Sequence, residues 1–236
     1  ISPHAISCAI DRNITKNIKD IDSFLIESND HLKFSALVVM INDPDRSKKA
    51  IEIINQTLID GDEKEITKLL HFLKHSDYEI SEHLILKYLN SKNSELIIQT
   101  LGMISQKHQE QYLSNIILLL ESKNVSNAAE KALLRYDKKI VCEKLLKYFS
   151  SSRSTYETKV SILGLIHQFE DRKIAKAILS SMDNPDLKFL GECTNTLIKV
   201  SKSYGLSNNE LVQIRGVLNT CLKEHISYIF SGTNSY

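Results

Sequence analysis

Residues that build tight turns are scarce: the 236-residue chain holds 7 glycines and 3 prolines. A β-rich fold with many hairpins needs more of both. Tryptophan is absent. The longest apolar run, Ala36–Ile41, has six residues, and a membrane-spanning helix needs roughly 20. No signal-peptide pattern opens the chain, and residue 1 is Ile rather than Met, which suggests a processed or excised piece of a longer protein. Charge of one sign is also lacking, with 30 basic against 29 acidic side chains. A nonspecific nucleic-acid binder concentrates cations to neutralise phosphates, so this balance argues against that class. The four cysteines, Cys8, Cys142, Cys193 and Cys221, lie far apart with no Cys-x-x-Cys. They read as buried free thiols of a reducing compartment, which favours a cytoplasmic location.

Catalytic signatures are missing as well. The sequence has no Gly-x-Ser-x-Gly, no Walker pattern and no Gly-x-Gly-x-x-Gly, so it lacks a nucleophile elbow and a phosphate-cradling loop. The acidic cluster Asp60, Asp62, Glu63 and Glu65 falls at a helix start, where carboxylates complement the helix dipole. His71 and His75 share a helical face at spacing i,i+4, with His83 on the next helix. No Glu follows the first His and no thiol completes a ligand set, so no zinc is expected there. No cofactor is expected either, and the chain reads as a protein without enzymatic activity.

What the sequence has in abundance is periodic Ile and Leu. Leu58, Leu89 and Leu120 stand 31 residues apart, each closing an apolar run before a polar break. Ile66, Ile97 and Ala128 keep the same spacing, as do Leu70, Leu101 and Ala132. A period of 20–50 residues with two helices per unit is the mark of a solenoid, whose units bury their apolar faces only against neighbours. The register predicts that Leu70, Leu101 and Ala132 are almost fully buried.

The spacing predicts helices near 14–28, 31–41, 44–59, 62–75, 78–90, 94–105, 109–122, 125–136, 139–150, 154–169, 172–182, 185–203 and 208–230. Asp43-Pro44 and Asn184-Pro185 look like helix starts, with Asp or Asn as the cap and Pro in the first turn. Ser76-x-x-Glu79, Asp62-x-x-Glu65 and Ser207-x-x-Glu210 look like capping boxes. Gly205 looks like a C-terminal cap. The expected organisation is a tail over 1–13, one repeat domain over 14–230 and a tail over 231–236.

These helix pairs, with their Asp/Asn-Pro starts and short polar breaks, resemble HEAT-like repeats over about residues 31–230. The resemblance implies an all-α fold, a right-handed α-solenoid of helix pairs of the armadillo type. The run Lys49–Leu58 and the closing stretch Glu224–Phe230 are similar to the soluble HEAT segment of bacterial transporter-like membrane proteins related to nucleotide exchangers. That likeness implies a cytosolic regulatory domain tethered to membrane spans outside this chain. HEAT-like scaffolds also include nucleic-acid glycosylases and chromophore lyases. A glycosylase wants aromatic side chains near a carboxylate in a cationic cleft, for which this composition is poor.

Protein binding remains the expectation that needs no chemistry, because solenoids present extended surfaces. Lys87-Tyr88-Leu89 and Lys147-Tyr148-Phe149 occupy nearly the same repeat phase, at the ends of second-in-pair helices. Lys144 lies one turn before Lys147, within a basic stretch that includes Lys131, Arg135, Lys138 and Lys139. In HEAT-like arrays the second helices line the concave face. The expected partner site is therefore a strip of Lys87, Lys144 and Lys147 with Tyr88 and Tyr148 partly exposed beside them. Tyr supplies contact area and Lys steers, which suits an acidic peptide or protein partner.

Overall fold

A computed structural model describes residues 21–26, 29–74, 76–107, 109–169, 171–182 and 186–232, without the side chains of 106, 204, 218, 221, 222 and 224–232. Among the described residues the regular structure is entirely helical. The described residues form twelve α-helices: α1 (Asp30–Ile41), α2 (Ser47–Asp60), α3 (Glu63–Leu73), α4 (Glu82–Leu89), α5 (Ser94–Gln106), α6 (Leu113–Leu118), α7 (Ser126–Leu133), α8 (Lys138–Phe149), α9 (Tyr156–Ile166), α10 (Lys173–Leu179), α11 (Leu187–Tyr204) and α12 (Asn208–Gly232). Short 3-10 turns cover Ile21–Leu25, Glu110–Tyr112 and Leu119–Glu121. Most of the expected helix 14–28 lies outside the described residues, as do Asn184-Pro185 and both expected tails except Ser231 and Gly232. No helix of the described residues is long and apolar enough to cross a membrane.

The chain forms two compact units, Ile1–Gln109 and Glu110–Tyr236. In the first, helices pack on neighbours one or two places along the chain: α1 meets α2 and α3, α2 meets α3, and α5 meets α3 and α4. The second repeats the habit, with α6 against α7 and α8, α9 against α8 and α11, and α10 against α8, α11 and α12. The expected register positions are buried: Leu70 is 0%, Leu101 1% and Ala132 3% exposed. Leu58, Leu89, Leu120, Ile66 and Ile97 are buried too, and Ala128 is half-buried.

Several polar ties span a similar interval. Within the first unit, Lys33 pairs with Glu65 at 3.2 Å, Ser91 donates to Glu63 at 2.7 Å, and the Tyr88 hydroxyl donates to the Leu58 carbonyl. Within the second, Thr196 donates to the Leu163 carbonyl at 3.1 Å and Thr155 to Glu121 at 2.7 Å. Their partners are 28 to 34 residues apart in sequence.

Side chains and one glycine close several helix ends. Asp62 accepts from Glu65 N at 2.7 Å and starts α3. Ser207 and Glu210 form the full reciprocal box at α12, Glu210 N to Ser207 Oγ at 3.3 Å and Ser207 N to Glu210 Oε2 at 2.7 Å. Gly205 ends α11 at φ 74°, in the left-handed region that a Cβ disfavours. Two expected starts are displaced. Asp43-Pro44 opens a turn, its Asp43 carbonyl receiving Ser47 N at 2.8 Å, and α2 begins three residues after Pro44. Ser76 donates to the Leu73 carbonyl at 2.8 Å and so closes α3 rather than opening α4, which starts after Ser81.

The Tyr88 contact carries a measurable energy. Leu58 lies in the last turn of α2, where carbonyls have no intrahelical donor. The buried Tyr88 hydroxyl satisfies this one, and burial pushes its pKa up to about 12. Tyr88→Phe leaves that carbonyl without its donor and should lower stability by about 1 kcal/mol, seen as a shifted urea midpoint at unchanged slope. An unshifted midpoint would show that water replaces the hydroxyl at no cost.

Candidate basic groove of the second unit

The strongest candidate site is built on the outer stripe of α8. Asp137 caps this helix by accepting from Lys139 N and Ile140 N at 3.0 and 3.1 Å. Val141, Cys142, Leu145 and Phe149 turn inward and are buried. Lys144, Lys147, Tyr148 and Ser151, at i, i+3, i+4 and i+7, therefore share the outward stripe. Lys147 is exposed, while Lys144 and Tyr148 are half-buried.

A second wall comes from α6 and the 3-10 turn that extends it. Leu113, Ile116, Ile117 and Leu120 are buried, which leaves Ser114, Leu118 and Glu121 on the opposite face at i, i+4 and i+7. Leu118 is 51% exposed. The connection from α8 to α9 closes the end. Ser154 donates to the Tyr148 carbonyl at 2.6 Å, Arg153 N donates to Ser151 Oγ at 3.1 Å, and Thr155 caps α9 by accepting Thr158 N at 3.0 Å. Thr155 and Thr158 both donate to Glu121 Oε1.

The result is a groove of about 290 Å³ lined by these side chains, including Lys144, Lys147, Arg153, Glu121, Leu118 and Tyr148. Three cations face one carboxylate, and that carboxylate is already engaged by two hydroxyls. Among the described residues, Lys144, Lys147 and Arg153 take part in no ion pair. Leu118 and Tyr148 add an apolar floor. Such a groove can hold a short acidic segment that also carries an apolar side chain.

Three of the five expected partner-site residues, Lys144, Lys147 and Tyr148, thus come together. Lys87 is exposed on α4 of the first unit. Tyr88, expected to be partly exposed, is 1% exposed. It belongs to the core stripe of α4 with Ile85 and Leu89, at i, i+3 and i+4, and its hydroxyl is drawn to the Leu58 carbonyl. The basic neighbours Lys131, Arg135, Lys138 and Lys139 do not line the groove. Arg153 and Glu121 do, although their sequence context is an ordinary polar connection. The one available signal was Arg153 six residues beyond Lys147 in a run of serines.

Groups suited to other chemistry are quiet. Burial raises the Cys142 thiol to about 11 and the Cys193 thiol to about 12, so both stay protonated near neutral pH. His71 and His83 are exposed, and His75 lies outside the described residues. Among the described residues no three metal-ligating groups come together. Compared with protein-family models, with curated proteins and with solved structures, the chain gives no match.

Proposed function

We propose that the chain is a protein-binding scaffold of HEAT-like helix pairs, a right-handed α-solenoid without catalytic activity, whose second unit receives an acidic peptide. Support for the solenoid comes from packing between sequential helices within each unit and from burial of Leu70, Leu101 and Ala132 at the 31-residue interval. The observation that carries the binding role is the convergence of Lys144, Lys147 and Arg153 on one groove beside Tyr148 and Leu118. Cations outside ion pairs keep their charge available for a partner and speed encounter with an acidic one.

Panning a random peptide display library on the purified chain tests this. Sequences rich in Asp and Glu with one aromatic or aliphatic residue should be enriched. Lys144→Glu combined with Lys147→Glu should abolish the enrichment and leave the melting temperature within about 2 °C of the parent, since Lys147 is exposed, Lys144 is half-buried and neither takes part in an ion pair among the described residues. Enrichment that survives the double reversal, or none at all, would remove the groove as the binding site.

A further inference from the structure

The polar groups left unused in the groove of the second unit narrow down its partner. Ser154 is committed to the Tyr148 carbonyl, Ser151 Oγ receives Arg153 N, and Thr155 and Thr158 both donate to Glu121 Oε1. The side chains of Lys144, Lys147 and Arg153 and the hydroxyls of Ser114 and Tyr148, which also line the groove, enter none of these bonds. Ammonium and guanidinium groups only donate. The one carboxylate of the lining is already met by two hydroxyls. The groove therefore offers donors and asks for acceptors.

Charge and size decide which acceptor fits. Lys144, Lys147 and Arg153 against Glu121 leave two positive charges in excess. The backbone that presents Arg153 is tied back to α8, through its own N–H on Ser151 Oγ at 3.1 Å and through Ser154 on the Tyr148 carbonyl at 2.6 Å. At about 290 Å³ the groove lies just below the usual ligand range of about 300–1,000 Å³. That is too small for a run of acidic residues, each of which brings one charge and two oxygens. A phosphorylated side chain brings about 1.5 to 2 negative charges near pH 7 and three acceptor oxygens on a single residue. It matches both the excess charge and the donor set within the space of one side chain. Arg153 adds a fork that grips phosphate through two parallel N–H···O bonds.

Resting on the peptide-binding reading above, we propose that the groove's occupant is a phosphoserine peptide, its phosphate on Lys144, Lys147 and Arg153 and a neighbouring apolar side chain on Leu118 and Tyr148. Leu118, 51% exposed, and the half-buried Tyr148 ring give that side chain its contact. An unmodified acidic residue uses the same cations and leaves part of their charge unanswered.

Three fluorescein-labelled peptides, Gly-Ser-Gly-Leu-X-Gly-Ser-Gly with X as phosphoserine, glutamate or serine, serve as probes and are titrated with the full chain by anisotropy. The phosphoserine peptide should bind about tenfold more tightly than the glutamate peptide, the strength of one further charge-assisted pair, and the serine peptide more weakly than either. Lowering the pH from about 7.5 to about 5.5 should narrow that gap. Phosphoserine takes up a proton near pH 6, glutamate stays charged down to its ordinary pKa near 4.3, and no histidine lines the groove. Arg153→Gln, at an exposed position, should cut the gap to about threefold or less. Equal affinity for the phosphoserine and glutamate peptides would overturn the phosphate assignment and leave the acidic-peptide reading standing, whereas no binding of either would remove both. Inorganic phosphate that displaces the peptide at the peptide's own dissociation constant would also overturn the proposal, by making this a site for the free ion.

Discussion

Leu101→Asp should cost the first unit several kcal/mol, enough to leave it largely unfolded at neutral pH. Leu101 is 1% exposed on α5, the helix that packs on both α3 and α4. Its replacement removes a buried aliphatic group, worth about 2–5 kcal/mol as Leu→Ala, and adds a carboxylate with no partner. A domain whose total stability is about 5–15 kcal/mol does not tolerate both losses. The defect should depend on pH. A carboxyl buried here titrates above its unfolded value, because burial disfavours the charged form. The folded state then binds the proton more readily than the unfolded state, so the deficit is smallest below the unfolded pKa near 3.9 and grows as pH rises through the folded value. Urea titrations of Leu101→Asp and Leu101→Ala at pH 4.5 and pH 8 check this. A Leu101→Asp variant as stable as Leu101→Ala at pH 8 would mean that the side chain escapes to water, and the 31-residue register would lose its physical basis.

Phe189→Ala should be the most costly truncation in the second unit, at about 3–5 kcal/mol. Phe189 is 2% exposed near the start of α11. Its ring stacks on Phe149 of α8 with centroids 6.3 Å apart at 16° and lies 6.0 Å from Tyr156 of α9. Three helices therefore meet on one side chain. Truncation leaves a cavity beside two aromatic rings that cannot both move into it. Phe189→Leu keeps most of the volume and should cost less than half as much. Calorimetry on both variants gives the comparison. Equal losses would show that filled volume contributes nothing here and that the aromatic ring itself carries the stability.

The helices themselves were readable because their apolar residues repeat at 3.6 and the chain lacks competing turn residues. The predicted span 94–105 differs by one residue at its end from the helix observed, Ser94–Gln106, and 139–150 is shifted by one residue from Lys138–Phe149. The errors fall where a local signal has two uses. Pro44 suits the first turn of a helix and also a β-turn, and the Asp43 side chain supports the turn by accepting Asp45 N at 3.0 Å. Ser76 can cap a helix start or close a helix end, and the Leu73 carbonyl claims it. Tyr88 and Tyr148 share a repeat phase, yet only Tyr88 has the unpaired Leu58 carbonyl within reach of its hydroxyl. Which tyrosine goes inside depends on an acceptor 30 residues away, and no local pattern records that. The groove was half legible for the same reason. Lys144, Lys147 and Tyr148 follow from helical spacing, whereas Glu121 and Arg153 join them through the Thr155 and Thr158 hydroxyls and the Ser151–Ser154 connection.

The interval of the polar ties also governs kinetics. Lys33 with Glu65, Tyr88 with Leu58 and Thr196 with Leu163 close loops of 32, 30 and 33 residues. Loop-closure entropy grows only logarithmically with length, so these three ties begin from nearly equal handicaps. Contacts this local give a low contact order, for which folding within microseconds to milliseconds is typical. Among the described residues no distant strand must be found before the first helices can hold one another. Within a unit, any adjacent pair can serve as the nucleus, and a variant that weakens one pair should reroute the folding pathway more than it slows it.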